Sequence, residues 1–274
     1  MFEIDRIIRQ ALNEDIGLGD VTTLGTIPKG TLVRAELVAK EDFVLSGIDV
    51  AGRVFALLDE SVAFEKLRED GQPIRRGEVI AWLRGEARSL LQGERVALNL
   101  LQRMSGIATH TARFVKELDG TKATVVDTRK TTPGLRALEK YSVRMGGGRN
   151  HRTSLYDGVL IKENHIAAAG GIAVAIERAR AYAPHTLRVE IETRDLKEVG
   201  EALDAGADII LLDNMDTETL RTAVELVAGR ALTEASGGVT LETARAIAGT
   251  GVDFISVGGL THSSRAIDIS MLFQ

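Results

Sequence analysis

The sequence predicts a mixed α/β protein, in which a small N-terminal α+β layer precedes an open, incomplete α/β barrel. Two observations support this. Short strand patterns separated by turn residues fill the first third of the chain, and from Gly120 onward β-branched runs alternate with amphipathic helical patterns. Such alternation is typical of parallel strands joined by right-handed crossovers. Only six strands are visible where a closed barrel needs eight, and an open doubly wound sheet is the alternative.

The N-terminal region is predicted to form an antiparallel sheet with helices on one face. Apolar residues at helical spacing predict a helix over 3–13, and the following residues 13–23 form a turn-rich segment. Residues 31–47 are interpreted as a pair of strands with one buried face and one solvent-exposed face. The remaining predicted elements of this region are one helix and two strands, at 48–60, 61–67 and 78–84.

A long helical pattern over 89–118 marks the border between the two regions. It predicts one helix, or two end to end with a break near Ser105 and Gly106. We therefore expect an N-terminal domain over 1–105 and a barrel domain over 106–262. The last residues, 263–274, are predicted to form a helix that packs back on the N-terminal layer.

Six strands and five helices are predicted in the barrel region. The strands are at 123–127, 158–162, 188–192, 208–212, 230–234 and 254–257. The helices are at 134–144, 172–183, 195–205, 217–228 and 240–248. The short, solid apolar runs of these strands indicate burial on both faces.

Composition excludes several classes of function. A net charge of -5 and a pI near 5.7 argue against a general nucleic-acid binder. The chain has no cysteine, so it has no disulfide and no thiolate metal site. No apolar run is long enough to span a membrane, and the acidic N-terminus does not match a signal peptide. We expect a cytoplasmic protein with no nucleic-acid or membrane partner.

Cations are concentrated between Asp127 and His165. A solvated basic helix over 134–144 accounts for those that lie within it. It does not account for the four cations at strand ends or near the glycine run 146–148, namely Arg129, Lys130, Arg152 and Lys162. Such a cluster in an acidic protein predicts an anion pocket.

Barrel chemistry is located at the carboxyl ends of the strands, and there two neighbouring strands end in Glu192 and Asp213. Paired carboxylates can hold a divalent metal, bind sugar hydroxyls, or stabilise positive charge on a sugar carbon. Ion pairs with Lys130 or Lys162 are the structural alternative. Glu190 precedes Glu192 by two residues and is predicted to share its face at a deeper layer, so we rank it lower.

Glycine pairs follow the last two strands, as Gly237–Gly238 and Gly258–Gly259. Glycines allow backbone amides to approach phosphate oxygens, and adjacent barrel strands often form a phosphate site in this way. One such pair is usually only a turn, whereas two at neighbouring strand ends favour a phosphate cradle. The predicted substrates are therefore a phosphorylated sugar and a polyanionic partner.

Specific motifs run through nearly the whole chain. They are EDIGLGDVTT, GERVALNLLQRMSGIAT, DTRKTTPGLRALEKYSVRMGGGRNHR, VLIKENHI, VEIE, GADIILLDN, EASGG and SVGGLTHS. In these motifs the chain resembles the quinolinate phosphoribosyltransferases, also called carboxylating nicotinate-nucleotide pyrophosphorylases. The resemblance implies an N-terminal α/β sandwich, an open, incomplete α/β barrel and a head-to-tail homodimer, or a hexamer built from it.

The resemblance also implies an activity. Phosphoribosyl would pass from 5-phosphoribosyl 1-pyrophosphate to quinolinate with decarboxylation, giving nicotinate mononucleotide, with Mg²⁺ as the cofactor. Arg95 would enter the neighbouring subunit's site, where Arg129, His151, Arg152 and Lys162 line the quinolinate pocket. Positions around the phosphoribosyl pyrophosphate and its metal would be Lys130, Glu192, Asp213, Ser236, Gly237, Gly258 and His262. The candidate substrate-binding set also includes Thr128, Gly238 and Gly259.

Within this set we assign the catalytic roles to Glu192, Asp213, Lys130 and Lys162, and the metal-ligand role to the two carboxylates. Three other functions are weighed against this one. A relative that uses another base, such as the paralogue associated with molybdenum transport, is disfavoured by Arg95, Arg129 and Arg152. A non-catalytic sugar-phosphate sensor would not need paired carboxylates, and borohydride trapping would reveal a Schiff-base aldolase.

Overall fold

The fold is described from a computed structural model, which covers residues 2–274. In chain order the helices are α1 Phe2–Ile16, α2 Val21–Thr26, α3 Ile48–Leu58, α4 Ala87–Glu117, α5 Arg136–Met145, α6 Glu163–Ala169, α7 Ile172–Tyr182, α8 Leu196–Asp204, α9 Thr217–Val227, α10 Leu241–Ala248 and α11 Gly259–His262. The strands are β1 Leu32–Ala39, β2 Phe43–Val44, β3 Ala63–Lys66, β4 Pro73–Ile74, β5 Val79–Glu86, β6 Thr124–Val126, β7 Val159–Ile161, β8 Val189–Thr193, β9 Ile209–Asp213, β10 Leu232–Ser236, β11 Phe254–Ser256 and β12 Ile269–Phe273.

The chain forms two compact units. The first contains residues 2–112 together with Thr131–Gly147 and Leu260–Gln274. The second contains Arg113–Lys130 and Gly148–Gly259. These limits differ from the predicted division at 105/106, because α4 continues past that point and contributes residues to both units.

The first unit is built on an antiparallel sheet in the order β12-β1-β5-β3, with β2 and β4 paired as a separate ribbon. Alternate residues of β1, including Ala35 and Leu37, are buried. They belong to a core that also takes in Ile48 and Phe55 from α3. The expected antiparallel layer is confirmed, although β1 and β2 do not pair with each other.

The C-terminal segment was predicted to be a helix over 263–274, and this was wrong. Its last residues form β12, an edge strand antiparallel to β1, with Met271 opposite Leu37. The buried hydrophobic residues in this segment are Ile267, Ile269 and Met271, a spacing of two. That is the period of a strand with one buried face, so the segment joins the N-terminal layer through backbone hydrogen bonds.

Two further N-terminal features differ from expectation. The turn-rich segment contains α2, whose N-cap Asp20 accepts a hydrogen bond from the backbone N–H of Thr23 at 2.9 Å. The long helix α4 runs without a break through Gly106. A Cβ at Gly106 would lie 1.9 Å from the carbonyl oxygen of Arg265. Glycine is therefore present here because another backbone approaches closely, and not because the helix ends.

The second unit contains a six-stranded parallel sheet in the order β6-β11-β10-β9-β8-β7. All six predicted strands are present, and α7, α8, α9 and α10 connect successive strands as expected. The two edge strands, β6 and β7, are consecutive along the chain, so the order is that of a barrel opened between them. The predicted open, incomplete barrel is confirmed in this sense.

On the β6 side the edge of the sheet is paired with another segment of the chain. The backbone of Arg149 forms a parallel bridge with Val126, donating to the carbonyl of Val125 at 2.9 Å and accepting from Asp127 at 3.2 Å. These bonds occupy the free edge of β6. The chain between β6 and Arg149 passes through Thr131–Gly147, which belongs to the first unit.

Helix α5 therefore does not serve as the first crossover of the barrel, as the predicted barrel domain of 106–262 required. It packs against α1 within the first unit. Lys140 is only 3% exposed, so the interpretation of 134–144 as a solvated basic helix is also wrong for this residue. Two short helices, α6 and α11, were not predicted. Among residues 2–274, no helix is both long and apolar enough to span a membrane.

Candidate active site

The carboxyl ends of the parallel strands lie level at one edge of the six-stranded sheet. Val126 is opposite Ser256, Ser256 is opposite Ser236, and Ser236 is opposite Asp213. On the next strand Glu192 is opposite Leu211. Residues in register share a face, and so do residues two apart. Glu192 and Asp213 therefore lie on the same face, as the sequence predicted.

Lys162 and Glu192 form an ion pair at this edge. Lys162 follows Ile161, which is opposite Ile191, and its Nζ lies 2.5 Å from Glu192 Oε2. The lysine side chain is 49% exposed and the glutamate 14%. The ion pair considered as the structural alternative for Glu192 is thus present, and it leaves both groups at the open edge where a substrate can reach them.

Asp213 has a different environment. Its carboxylate accepts a hydrogen bond from Asn214 Nδ2 at 2.8 Å. Asn214 has a left-handed φ of 54° and donates its backbone N–H to the carbonyl of Ser236 at 2.8 Å. This turn fixes the orientation of Asp213 through the neighbouring amide.

The first glycine pair is needed for the same turn. Gly237 has φ +94°, and a Cβ there would lie 2.2 Å from Asn214 Oδ1. Gly238 also has a positive φ, of 58°, with open space around it. The exposed backbone of Gly237 and Gly238 suits the approach of phosphate oxygens. Of the second pair, Gly258 precedes α11 and Gly259 begins it.

The arginines of the predicted anion pocket are partly buried. Burial lowers the pKa of Arg152, and the neighbouring Arg129 cation lowers it further. Arg152 Nη1 donates to the carbonyl of Gly158 at 3.1 Å. The backbone N–H of Lys130, an exposed residue, donates a hydrogen bond to Thr128 Oγ1 at 3.0 Å. Burial and a neighbouring like charge both disfavour the charged form of Arg152, so an anion bound beside the two guanidinium groups would be stabilised by them.

His151 is held between two buried glutamates. Its Nε2 lies 2.9 Å from Glu190 Oε2 and 3.6 Å from Glu234 Oε2. Both glutamates are 3% exposed. Burial first and the Glu190 carboxylate second raise the pKa of Glu234 to about 7, against opposing effects of His151 and a hydrogen bond to Ser256.

This cluster has the spacing of a metal site, since the ligand atoms of the three side chains lie within 4.8 Å of one another. The hydrogen bonding of the ring argues against that use. The backbone N–H of Arg152 donates to His151 Nδ1 at 2.7 Å, so Nδ1 has no proton and Nε2 carries it. A protonated Nε2 cannot ligate a metal, and it is the donor that Glu190 requires.

Sequence reasoning ranked Glu190 below Glu192 and did not select Glu234. The sequence does contain a sign of their importance. Glu190 and Glu234 are charged residues within buried runs, and each lies two positions before a polar strand end. Asp127 is also absent from the predicted site residues. It is fully buried and accepts hydrogen bonds from the backbone N–H of His151 at 2.9 Å and from Asn150 Nδ2 at 2.5 Å. It anchors the segment that carries the predicted pocket residues.

Two predicted site residues belong to the first unit. Arg95 lies on α4 with its side chain 59% exposed and 4.0 Å from Glu94. His262 ends α11, and its Nδ1 is 2.7 Å from Ser263 Oγ. The other members of the predicted set, from Thr128 to Gly259, all lie in the second unit.

Comparison with known families gives a match over almost the whole chain. The model for the N-terminal domain of quinolinate phosphoribosyl transferase matches residues 20–105, and the model for its C-terminal domain matches residues 107–272. Carboxylating nicotinate-nucleotide pyrophosphorylase from Mycobacterium leprae is 45% identical over 273 residues, covering 96% of this chain and 95% of that protein. The chloroplastic enzyme of the same name from Arabidopsis thaliana is 44% identical over 289 residues, covering 98% and 82%.

Solved structures agree with the sequence relatives. The crystal structure of NadC from Streptococcus pyogenes superimposes with a TM-score of 0.96 at 44% identity, covering 100% of this chain and 97% of that one.

Proposed function

Because the chain belongs to the quinolinate phosphoribosyltransferase family, we propose that it transfers phosphoribosyl from 5-phosphoribosyl 1-pyrophosphate to quinolinate. The products are nicotinate mononucleotide, pyrophosphate and CO₂, which makes the chain a pentosyltransferase of NAD biosynthesis. One observation in the site carries the proposal. A partly buried arginine pair, Arg129 and Arg152, lies on the same unit as the Lys162–Glu192 pair at the carboxyl edge of the sheet.

Quinolinate binding is assigned to the cations. The substrate is a planar dianion, and guanidinium groups match planar carboxylates with two parallel hydrogen bonds. We assign this role to Arg129 and Arg152, and to Lys162 as a third cation. The lowered pKa of Arg152 supports the assignment, because a bound carboxylate would replace the solvation that this guanidinium has lost.

Phosphoribosyl transfer is assigned to the two carboxylates. The pyridine nitrogen attacks the anomeric carbon while the bond from that carbon to the pyrophosphate oxygen breaks, and its electron pair leaves with pyrophosphate. Positive charge develops on the ribose during this exchange. Glu192 and Asp213, fixed on one face of the sheet edge, stabilise that charge. Lys130 is assigned to the anionic phosphate groups.

Decarboxylation then needs no organic cofactor. The pyridinium ring formed by the transfer accepts the electron pair of the bond between its second carbon and the adjacent carboxylate. CO₂ leaves, and a proton from solvent takes its place on that carbon. The 5-phosphate of the sugar is assigned to the glycine turns, with Ser236, Gly237, Gly238, Gly258 and Gly259.

We also propose Mg²⁺ as the cofactor. The donor chemistry fits, because Glu192 and Asp213 offer partly exposed carboxylate oxygens on one face, and Mg²⁺ prefers such oxygens. When bound, the ion neutralises part of the charge on pyrophosphate. The residues of the chain remain responsible for holding and orienting both substrates.

The assembly is proposed to be a homodimer, or a hexamer of such dimers, in which Arg95 completes the neighbouring subunit's quinolinate pocket. The Arg95 side chain is 59% exposed, and its Nη2 lies 4.0 Å from Glu94 Oε1, an exposure that supports a role outside its own fold. A cytoplasmic location is proposed as well, in keeping with a chain that has no cysteine.

Substrate choice tests the proposed function. Purified protein with 5-phosphoribosyl 1-pyrophosphate and Mg²⁺ is expected to convert quinolinate to nicotinate mononucleotide and CO₂. We expect kcat/KM for nicotinate to be lower by about two orders of magnitude, because one carboxylate and its charged hydrogen bonds are missing. Equal kcat/KM for the two acids would contradict the assignment of the cation pocket.

A further inference from the structure

The segment that carries Arg152 is tied to the sheet by a chain of hydrogen bonds. The backbone N–H of His151 donates to the buried Asp127, and the backbone N–H of Arg152 donates to the His151 ring at Nδ1. The other ring nitrogen, Nε2, lies 2.9 Å from Glu190 Oε2. The imidazole therefore links the backbone of Arg152 to a buried carboxylate on β8.

This arrangement changes the role expected of His151. Both of its ring nitrogens have partners within the protein, Nδ1 as acceptor and Nε2 as donor. The ring can face the pocket but offers neither nitrogen to a substrate carboxylate while these bonds persist. Its contribution is then to hold Arg152, whose guanidinium is fixed at its far end by the carbonyl of Gly158.

We propose that Glu190 is a positioning residue for quinolinate binding, which acts by holding the His151 ring that fixes the backbone of Arg152. The inference rests on the proposed function and deepens it. Glu190 Oε2 is suited to this role, since Glu190 is almost fully buried and receives the Nε2 proton at hydrogen-bond distance. Glu234 is equally buried, but its nearest oxygen lies 3.6 Å from Nε2, beyond a normal hydrogen bond.

The test compares Glu190→Ala and Glu190→Gln with the control Glu234→Gln. Glutamine retains an acceptor for the His151 proton, whereas alanine removes it. We expect Glu190→Ala to raise KM for quinolinate by about tenfold or more, the usual effect of a lost hydrogen bond. Its kcat and its KM for 5-phosphoribosyl 1-pyrophosphate should stay within about threefold of wild type, and Glu190→Gln should restore most of the quinolinate affinity. Glu234→Gln should leave KM for quinolinate within about threefold.

A second measurement reads the ring directly and does not depend on activity. The chain has 5 histidines, so ¹⁵N NMR of labelled protein, with His151→Gln for assignment, can identify the His151 tautomer. We expect the Nε2-protonated tautomer in wild type and in Glu190→Gln. If Glu190→Ala does not fold, Glu190→Leu, which also lacks an acceptor but fills more of the buried space, takes its place in the kinetic comparison.

The inference is overturned if folded Glu190→Ala binds quinolinate as wild type does, if both substrates lose affinity equally, or if His151 is protonated on Nδ1. Failure of the proposed function gives a different result. In that case wild type itself forms no nicotinate mononucleotide, whereas here wild type must be active before the variants are compared.

Discussion

The two carboxylates at the carboxyl edge of the sheet have different hydrogen-bonding partners. Glu192 is paired with Lys162, while Asp213 is oriented by the amide of Asn214. We expect Glu192→Gln and Asp213→Asn each to lower kcat by about 10²–10³, because each removes one preorganised charge from the site of the transition state. Steady-state kinetics and a direct measurement of quinolinate binding check this, and binding should be retained.

Glu225→Gln is the matched control, since Glu225 is exposed on α9. It removes one carboxylate from the chain without touching the sheet edge. Turnover near the wild-type value in either site variant would mean that these carboxylates serve the structure alone.

A second residue-scale prediction concerns pH. The folded pKa of Glu234 is raised from an ordinary 4.5 to about 7, first by burial and then by Glu190. Between these values the folded protein binds more protons at this site than the unfolded chain, so this site makes the protein less stable as pH rises through the window. Glutamine does not titrate. The free energy of unfolding of Glu234→Gln, relative to wild type, is therefore expected to increase from about pH 5 to about pH 8.

Denaturant unfolding of both proteins at the two pH values measures this difference. Each pKa unit corresponds to about 1.4 kcal/mol. The exposed variant Glu225→Gln should show no such trend. A difference that stays constant with pH would show that Glu234 is not held in its neutral form.

At the scale of elements, α3 receives its N-terminal cap from a distant residue. Gly47 precedes the helix with φ 98° and offers no side chain. Asp70 accepts the backbone N–H groups of Gly47 and Ile48 at 2.9 and 3.0 Å, and it also accepts the Tyr141 hydroxyl at 2.7 Å. Burial raises the pKa of Tyr141, and its bond to Asp70 raises it further.

We expect Asp70→Ala to lower the free energy of unfolding by about 1–2 kcal/mol, the usual effect of losing a helix cap. Tyr141→Phe separates the two functions of the carboxylate, because it removes the tyrosine bond and leaves the cap in place. It should cost about 1 kcal/mol or less. Thermal or denaturant melts provide the measurement, and an Asp70→Ala protein as stable as wild type would rule out the capping role.

At the scale of the whole molecule, the proposed exchange of Arg95 between subunits makes the dimer necessary for catalysis. We expect Arg95→Ala to leave the fold and dimer intact while quinolinate binding weakens, since a lost charged hydrogen bond costs about 1.5–3 kcal/mol. Mixing Arg95→Ala subunits with Arg152→Ala subunits tests the exchange. In each heterodimer one site carries both changes and the other carries neither, so part of the wild-type activity should return.

Subunit exchange must be verified in the same samples, for example by native mass spectrometry. Samples that contain only one of the two variants serve as the inactive controls. If subunits exchange and no activity returns, Arg95 does not serve the neighbouring site.

The sequence by itself was sufficient for the strands and helices with a strong local pattern. The six parallel strands are short apolar runs bounded by turns, so their positions along the chain can be predicted from the local pattern. The placing of Glu192 and Asp213 on one face follows from the same logic, since parallel strands bring their carboxyl ends to one edge.

Tertiary structure decided what depends on residues far apart in the chain. The C-terminal segment is a strand because β1 has a free edge for it, and α5 belongs to the first unit although its own pattern is that of any crossover helix. The cluster of His151, Glu190 and Glu234 joins two strands and a loop. The spacing of apolar residues along the chain indicates only which residues share a face of one helix or strand. Which elements meet is set by the burial and hydrogen bonding of the assembled units.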